Sequence, residues 1–227
     1  SETRLKTYIK KELRVILEEF GDKRRCQITS DVISAQAFSD QDMMPAENVT
    51  VVLSEKGWVK AAKGHEIDSS ALNYKSGDAF LKEAKGRSNK MAFFIDSSGR
   101  SYTLLANSLP SARGQGEPLT GRLTPPIGAE FIDVVMGDDE QLVILSSDAG
   151  YGFISTLGDL QSKTKSGKHA ITLSKEAKTM RLTKVQNLES DYLAVITNRA
   201  RLLIFQVSEL PHLSKGKGNK LINIKTD

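Results

Sequence analysis

The chain has little sulfur, few rings and no long apolar stretch. Its 227 residues include one cysteine, one tryptophan and 6% aromatics in all. With Cys26 alone no internal disulfide can form, so a reducing cytoplasm is the expected compartment. No segment approaches the ~20 consecutive apolar residues that a membrane helix needs, and no membrane partner is expected. The first residues, SETRLKTYIKKEL, carry charges where a signal peptide has its apolar region. His65, His169 and His212 stand far from one another and from Cys26, which argues against a zinc site. There is no G-x-S-x-G elbow and no phosphate-binding G-x-x-x-x-G-K-[ST] loop. Gly167-Lys168-His169 lacks both the upstream glycine and the hydroxyl of the latter. Asp138-Asp139-Glu140 is read as a solvated turn between repeats and not as a cation site. Neither a catalytic residue nor a cofactor is expected in this segment.

What is present is a lopsided charge and a repeat. The net charge of +4 hides a gradient: residues 1–25 carry +3, 26–50 carry −4, 51–150 carry −2 and 151–227 carry +7. Local clustering matters more for nucleic-acid binding than the total. At the N-terminus Leu5, Tyr8, Ile9, Leu13, Ile16, Leu17 and Phe20 recur at three- and four-residue steps, the stripe of an amphipathic helix, and Gly21 follows it. Residues 1–25 are therefore assigned to a connecting helix and linker, and 26–227 to a separate domain.

That domain repeats. VTVVLSEKGWVKAA (49–62), MAFFIDSSGRSYTL (91–104), LVILSSDAGYGFIS (142–155) and LAVITNRARLLIF (193–205) each read as two β-rich runs around a turn, a β-hairpin. The matched positions Leu53, Ile95, Leu145 and Ile196 lie 42, 50 and 51 residues apart. A glycine-bearing segment trails each hairpin: YKSGDAF, ARGQGEPL, KSGKHAI and SKGKGNKL. Its glycines Gly77, Gly116, Gly167 and Gly218 follow the markers by 24, 21, 22 and 22 residues. Repeats of about fifty residues with several short strands and no intervening long helix indicate radial sheets of the propeller kind. The expected fold is all-β, with repeats near 26–86, 87–137, 138–188 and 189–227. It has neither the Trp-Asp dipeptide nor the Gly-Gly doublet of familiar propellers.

Glycine lets a backbone approach a ligand closely, and flanking bases with exposed N–H groups bind phosphate oxygens. One such segment is what any tight surface turn looks like; four on one edge of a radial array would make a curved cationic rim. The expected DNA-binding bases are Lys75, Arg113, Lys165, Lys168, Lys215, Lys217 and Lys220 in the loops, with Lys56, Lys60, Arg100, Arg199 and Arg201 on the hairpins as helpers. The expected loop glycines are Gly77, Gly114, Gly116, Gly167, Gly216 and Gly218. Nothing in such a rim reads base edges, so binding would depend on charge and shape. The alternative is a propeller scaffold that grips a protein with its top face and does not bind DNA; it predicts exposed aromatic or Met clusters there.

SARGQGEPLTGRL, LSSDAGYGFIS and LPHLSKGKGNKLINI resemble the C-terminal domains of topoisomerase IV A subunits, and KELRVILEEFGDKRR resembles the helix that ends the breakage-reunion core of those subunits. The resemblance implies a β-pinwheel, a propeller variant that exchanges strands between blades, with four to five blades in an open array. It implies a domain that binds and bends duplex DNA along its outer edge. There it helps an ATP-dependent type IIA topoisomerase choose substrates for supercoil relaxation and decatenation. Implied partners are duplex DNA, the topoisomerase IV B subunit, and the breakage-reunion core of the same polypeptide, in the bacterial cytoplasm at the nucleoid. A basic box, Q-R/K-R-G-G-K/R-G, marks the related gyrase A subunits. It is matched only partly here, at Arg113, Gly114 and Gly116 and at Lys215, Gly216, Lys217 and Gly218, and YKSGDAF lacks it. That departure fits a topoisomerase IV-like role.

Overall fold

The computed structural model describes residues 1–22 and 46–222. The chain divides into two units, one holding the N-terminal helix and the other the strands. Cys26 and the expected boundary after residue 25 lie outside the described residues. Helix α1 spans Glu2–Phe20, and Gly21 closes it by donating its N–H to the Leu17 carbonyl at 2.8 Å. Gly21 sits at φ −72°, so the cap does not use glycine's left-handed freedom. The stripe from Leu5 to Phe20 is exposed along its whole length.

The second unit consists of successive blades. The first holds β1 (Asn48–Ser54), β2 (Trp58–Lys63) and β3 (Phe80–Arg87); the second begins with β4 (Met91–Asp96) and β5 (Arg100–Leu105). Then come the two-residue strand β6 (Glu117–Pro118) and β7 (Phe131–Met136). The third holds β8 (Leu142–Ser146), β9 (Tyr151–Thr156), the two-residue β10 (Lys168–His169) and β11 (Thr183–Lys184). The fourth holds β12 (Tyr192–Ile196), β13 (Leu202–Gln206) and β14 (Asn219–Lys220).

Each hairpin pairs antiparallel, and the third strand of blades 1 to 3 returns to the far side of the hairpin's first strand. The exchanged two-residue strands β6, β10 and β14 do otherwise: each crosses to the blade before it. The sheet orders are β3-β1-β2-β6, β10-β5-β4-β7 and β11-β8-β9-β14, with β12-β13 as a pair. The fold is thus a β-propeller-like array with strand exchange, as the sequence led us to expect. The β3 and β7 edges of blades 1 and 2 lie against one another. The exchanged strands β6 and β10 form the opposite edges of those sheets.

The continuous apolar runs follow from this geometry. Blades 2 and 3 are covered on both faces, so alternate residues of one strand enter two different cores. On β4, Phe94 packs with Val51, Leu53 and Tyr102 at the junction of blades 1 and 2. Its neighbours Phe93 and Ile95 pack with Val143, Leu145 and Phe153 at the next junction. On β8, Ile144 turns instead to Ile154, Val207 and Leu221 in a third core toward blade 4. Fully burying one such side chain contributes about 1.5–3 kcal/mol, so blades cohere chiefly through these junctions.

The hairpin turns need a left-handed residue, supplied by Gly57, Gly99 and Gly150 at φ 74°, 85° and 77°; in blade 4 the same place holds Ala200 at φ 55°. A second turn, before the third strand, uses Gly77, Gly128 and then Glu176 at φ 65°. A side chain in this conformation costs about 1 kcal/mol. Ala200→Gly together with Glu176→Gly is expected to raise the melting temperature by about 1–4 °C, once glycine's greater unfolded-state entropy is set against the relief. A lower melting temperature by scanning calorimetry would contradict this.

Candidate nucleic-acid interface

Three exchanged strands are entered through a glycine held at one place in the repeat. Gly116, Gly167 and Gly218 have φ 87°, 73° and 75°. Each is followed two residues past its strand start by a buried anchor: Leu119, Ala170 and Leu221. Each lies hard against the preceding blade: a Cβ on Gly116 would fall 2.5 Å from the Val59 carbonyl oxygen, and one on Gly218 only 2.2 Å from that of Gly152. On Gly167 it would meet the Tyr102 ring at 2.5 Å. These glycines are there so that the chain can join another blade's edge.

The corners are also tied to one another. The Thr124 N–H, just past the first corner, donates to the Lys165 carbonyl of the second at 2.8 Å. Equivalently, the Thr172 N–H past the second corner donates to the Gly216 carbonyl of the third at 2.7 Å. Lys165 and Gly216 occupy the same position, two residues before their corner glycine. Three glycine corners are therefore linked by hydrogen bonds in succession.

The fourth expected copy is not a corner. Gly77 belongs to the turn that precedes β3, where Asp78 N–H donates to the Lys75 carbonyl at 2.9 Å, the place Gly128 and Glu176 take in later repeats. Among the described residues no sheet precedes blade 1, so its loop has no neighbouring edge to join. It folds over its own sheet instead. Lys60 shows the consequence. It stands where Tyr102 and Phe153 stand in blades 2 and 3, facing the preceding core, and it is only 2% exposed. Its ammonium donates to the Asn73 carbonyl at 2.6 Å and sits 3.7 Å from the centre of the Tyr74 ring. Burial lowers the Lys60 pKa, partly opposed by the Asp78 carboxylate. Burial and the charges of Asp78, Glu83 and Asp68 push the Tyr74 phenol up to about 12. Lys60 thus leaves the set of DNA-facing bases. Lys60→Met is expected to change duplex affinity by less than about twofold and to leave its salt slope unaltered, because no phosphate contact is lost; a filter-binding salt series checks it.

The other bases remain at the surface. Lys56, Lys75, Arg113, Lys165, Lys215, Lys217, Lys220, Arg199 and Arg201 are exposed. Arg100 is half-buried and donates from Nη1 to the Ser166 carbonyl at 3.0 Å. Lys168 is half-buried, with Nζ donating to the Asp159 carbonyl. Arg199 and Arg201 sit at the blade 4 hairpin turn, which no exchanged strand joins among the described residues. Gly114 has open space around it and an ordinary φ, and Gly216 reaches φ 147°. One carboxylate, Glu117, lies on an exchanged strand, and Arg122 covers it at 2.6 Å. Residues 160–172 and 210–222 contain no acid at all.

Sequence reasoning missed Lys163, exposed beside Lys165, and two rings. Lys75 Nζ lies 4.8 Å from the centre of the Trp58 ring, and Lys217 Nζ lies 3.9 Å from that of Tyr151. Trp58, Arg100, Tyr151 and Arg201 are the residues directly after the hairpin's left-handed residue, so aligning the turns would have marked them. Outside α1, most exposed large apolar side chains lie on one hairpin: Tyr192, Ile196, Leu202, Leu203 and Ile204. Ile127 and Met180 are exposed in the second and third repeats. Among the described residues no group of three or more His, Cys, Asp or Glu is placed to hold a metal, and no helix is long and apolar enough to cross a membrane.

Fold and edge together define a strand-exchanging β-propeller with a cationic glycine corner on successive blades. The family of the DNA gyrase C-terminal domain, a β-propeller, matches residues 141–185 and 191–227. The chain is 54% identical over 99% of its length to the Pseudomonas aeruginosa DNA topoisomerase 4 A subunit, and 49% identical over the same share to the Escherichia coli K12 counterpart. It spans about 30% of the length of these curated relatives. The solved C-terminal domain of E. coli ParC matches with a TM-score of 0.74 and 53% identity, over 78% of this chain and 72% of that one. A solved gyrase A C-terminal domain, at 13% identity and TM-score 0.59 over 79% of this chain and 62% of that one, shares the fold. The chain belongs to the family of C-terminal domains of topoisomerase IV A subunits.

Proposed function

We propose that the corner-bearing edge binds the backbone of duplex DNA without reading sequence and bends it along the line of corners. In this reading the domain serves a type IIA topoisomerase by holding the DNA that the rest of the enzyme cuts and passes. It needs no cofactor of its own, and its partners are the breakage-reunion core to which it is joined and the B subunit. The observation that supports it is the hydrogen-bonded succession of corners, with bases on each and the one carboxylate on an exchanged strand already paired. Such an edge offers charge along a curve, which suits a bent phosphate backbone. Base-edge readout uses an element set into a groove, and the corners present short turns at the surface.

A salt titration of duplex binding tests this. Six phosphate contacts predict a fall in affinity on the order of a thousandfold between 50 and 200 mM salt. A flat response, or a strong preference for one sequence, would overturn the reading. Bending is tested separately by ligase-mediated closure of a duplex of ~150 bp, near the persistence length. The protein should raise the yield of circles, and unchanged yield at saturation would remove bending alone.

A further inference from the structure

We infer that Trp58 and Tyr151 are positioning residues, which hold the ammonium groups of Lys75 and Lys217 at fixed points on the edge where they meet DNA phosphates. The inference rests on the DNA-binding reading and adds to it the residues that set where its charges stand.

The residue after each hairpin turn faces the exchanged strand. Trp58 pairs across from Pro118, Arg100 from His169 and Tyr151 from Lys220. In blades 1 and 3 that residue is an aromatic carrying a lysine over its face, at 4.8 Å and 3.9 Å. In blade 2 it is Arg100, which reaches the corner backbone at Ser166 at 3.0 Å. One location in the repeat therefore steadies the basic loop in all three blades, by ring or by guanidinium. The lysines come from different places: Lys75 from its own repeat's loop, and Lys217 from the corner of the following repeat. Their convergence on the same post-turn position is a property of that position and not of a copied loop.

The physical gain is pre-organisation. A lysine ammonium on a four-carbon stem loses rotamer freedom when it docks on a phosphate. A ring beneath it restricts that search beforehand, while the outward N–H groups stay available to an anion. Both lysines are exposed, so the pairing is steering and not burial.

The test is a double-mutant cycle on duplex affinity in this chain, with folding checked by thermal melts. Tyr151→Leu should weaken binding about three- to fivefold with an unchanged salt slope, because the charge remains. Tyr151→Phe keeps the ring and should bind as the wild type does. Lys217→Gln should weaken binding and lower the slope by about one. Adding Tyr151→Leu to Lys217→Gln should then cost nothing more. Additive losses would mean the ring touches DNA itself and would overturn the inference. So would the absence of an upfield ring-current shift at the Lys217 ε-methylene protons, lost in Tyr151→Leu, measured without DNA. If the shift is present but the wild type shows no salt-dependent binding, the DNA reading falls, and the assigned ligand falls with it.

Discussion

Replacing Lys215, Lys217 and Lys220 together by glutamine is expected to lower duplex affinity on the order of a hundredfold near 100 mM salt, and about equally for every sequence. Each lysine–phosphate contact releases close to one counterion, so three contacts change the slope of log affinity against log salt by about 2.7. Where the wild type loses on the order of a thousandfold between 50 and 200 mM salt, the triple variant should lose roughly fortyfold. The third corner is chosen because no carboxylate lies between residues 210 and 222, and because Lys217 is held over Tyr151. The first corner is weaker by the same reasoning: Arg113 there shares its loop with Glu117, whose charge Arg122 already takes up. Arg113→Gln should cost less than any single lysine of the third corner. A triple variant that binds with wild-type slope would move the interface off this edge.

The hairpins were legible because their signal is dense. The windows 49–62, 91–104, 142–155 and 193–205 fall on β1–β2, β4–β5, β8–β9 and β12–β13; in the first three, strands buried on both faces write themselves as unbroken apolar runs around a turn glycine, and β12–β13 keeps the same run although most of its apolar side chains are exposed. Ala200 was the harder turn, a left-handed residue with a side chain. Helix α1 was equally plain from its stripe. The exchange of strands could not be read from residue patterns, because β6, β10 and β14 are two residues long and two residues have no period. It entered only through the family resemblance. Gly77 was misplaced for a related reason: a glycine before β3 happens to follow its hairpin at nearly the offset of the true corners, and offset alone does not say which blade a loop joins. The burial of Lys60 was hidden because a lysine on a strand reads as solvent-facing. Only its alignment with Tyr102 and Phe153 reveals a core position, one whose usual cover, a preceding blade, is replaced here by the loop that carries Tyr74.

The corner glycines separate architecture from binding. Gly167→Ala is expected to destabilise the domain by about 2–4 kcal/mol, or roughly 4–15 °C in melting temperature, while Gly114→Ala changes it by less than about 0.5 kcal/mol. At Gly167 two costs add. The backbone is left-handed at φ 73°, and a Cβ would stand 2.5 Å from the Tyr102 ring and 2.9 Å from the Ser101 carbonyl oxygen. Tyr102 cannot give way easily. It is fully buried, its hydroxyl donates to Asp96 Oδ2 at 2.7 Å, and its ring meets Phe131 edge-on with centroids 5.3 Å apart. Relief therefore has to come from the strand, by breaking the pairing of Lys168 with Ser101 and of His169 with Arg100. That would free β10, withdraw Ala170 from the core and loosen the Thr172 link to the third corner. Gly114, with open space and an ordinary φ, has none of these neighbours, although it stands in an equally basic, glycine-rich stretch of sequence. If both substitutions were equally mild in a calorimetric melt, these glycines would serve only to bring backbone close to DNA, and strand exchange would not depend on them. If Gly167→Ala alone melts early, the cost lies in the architecture, because the substitution removes no charge.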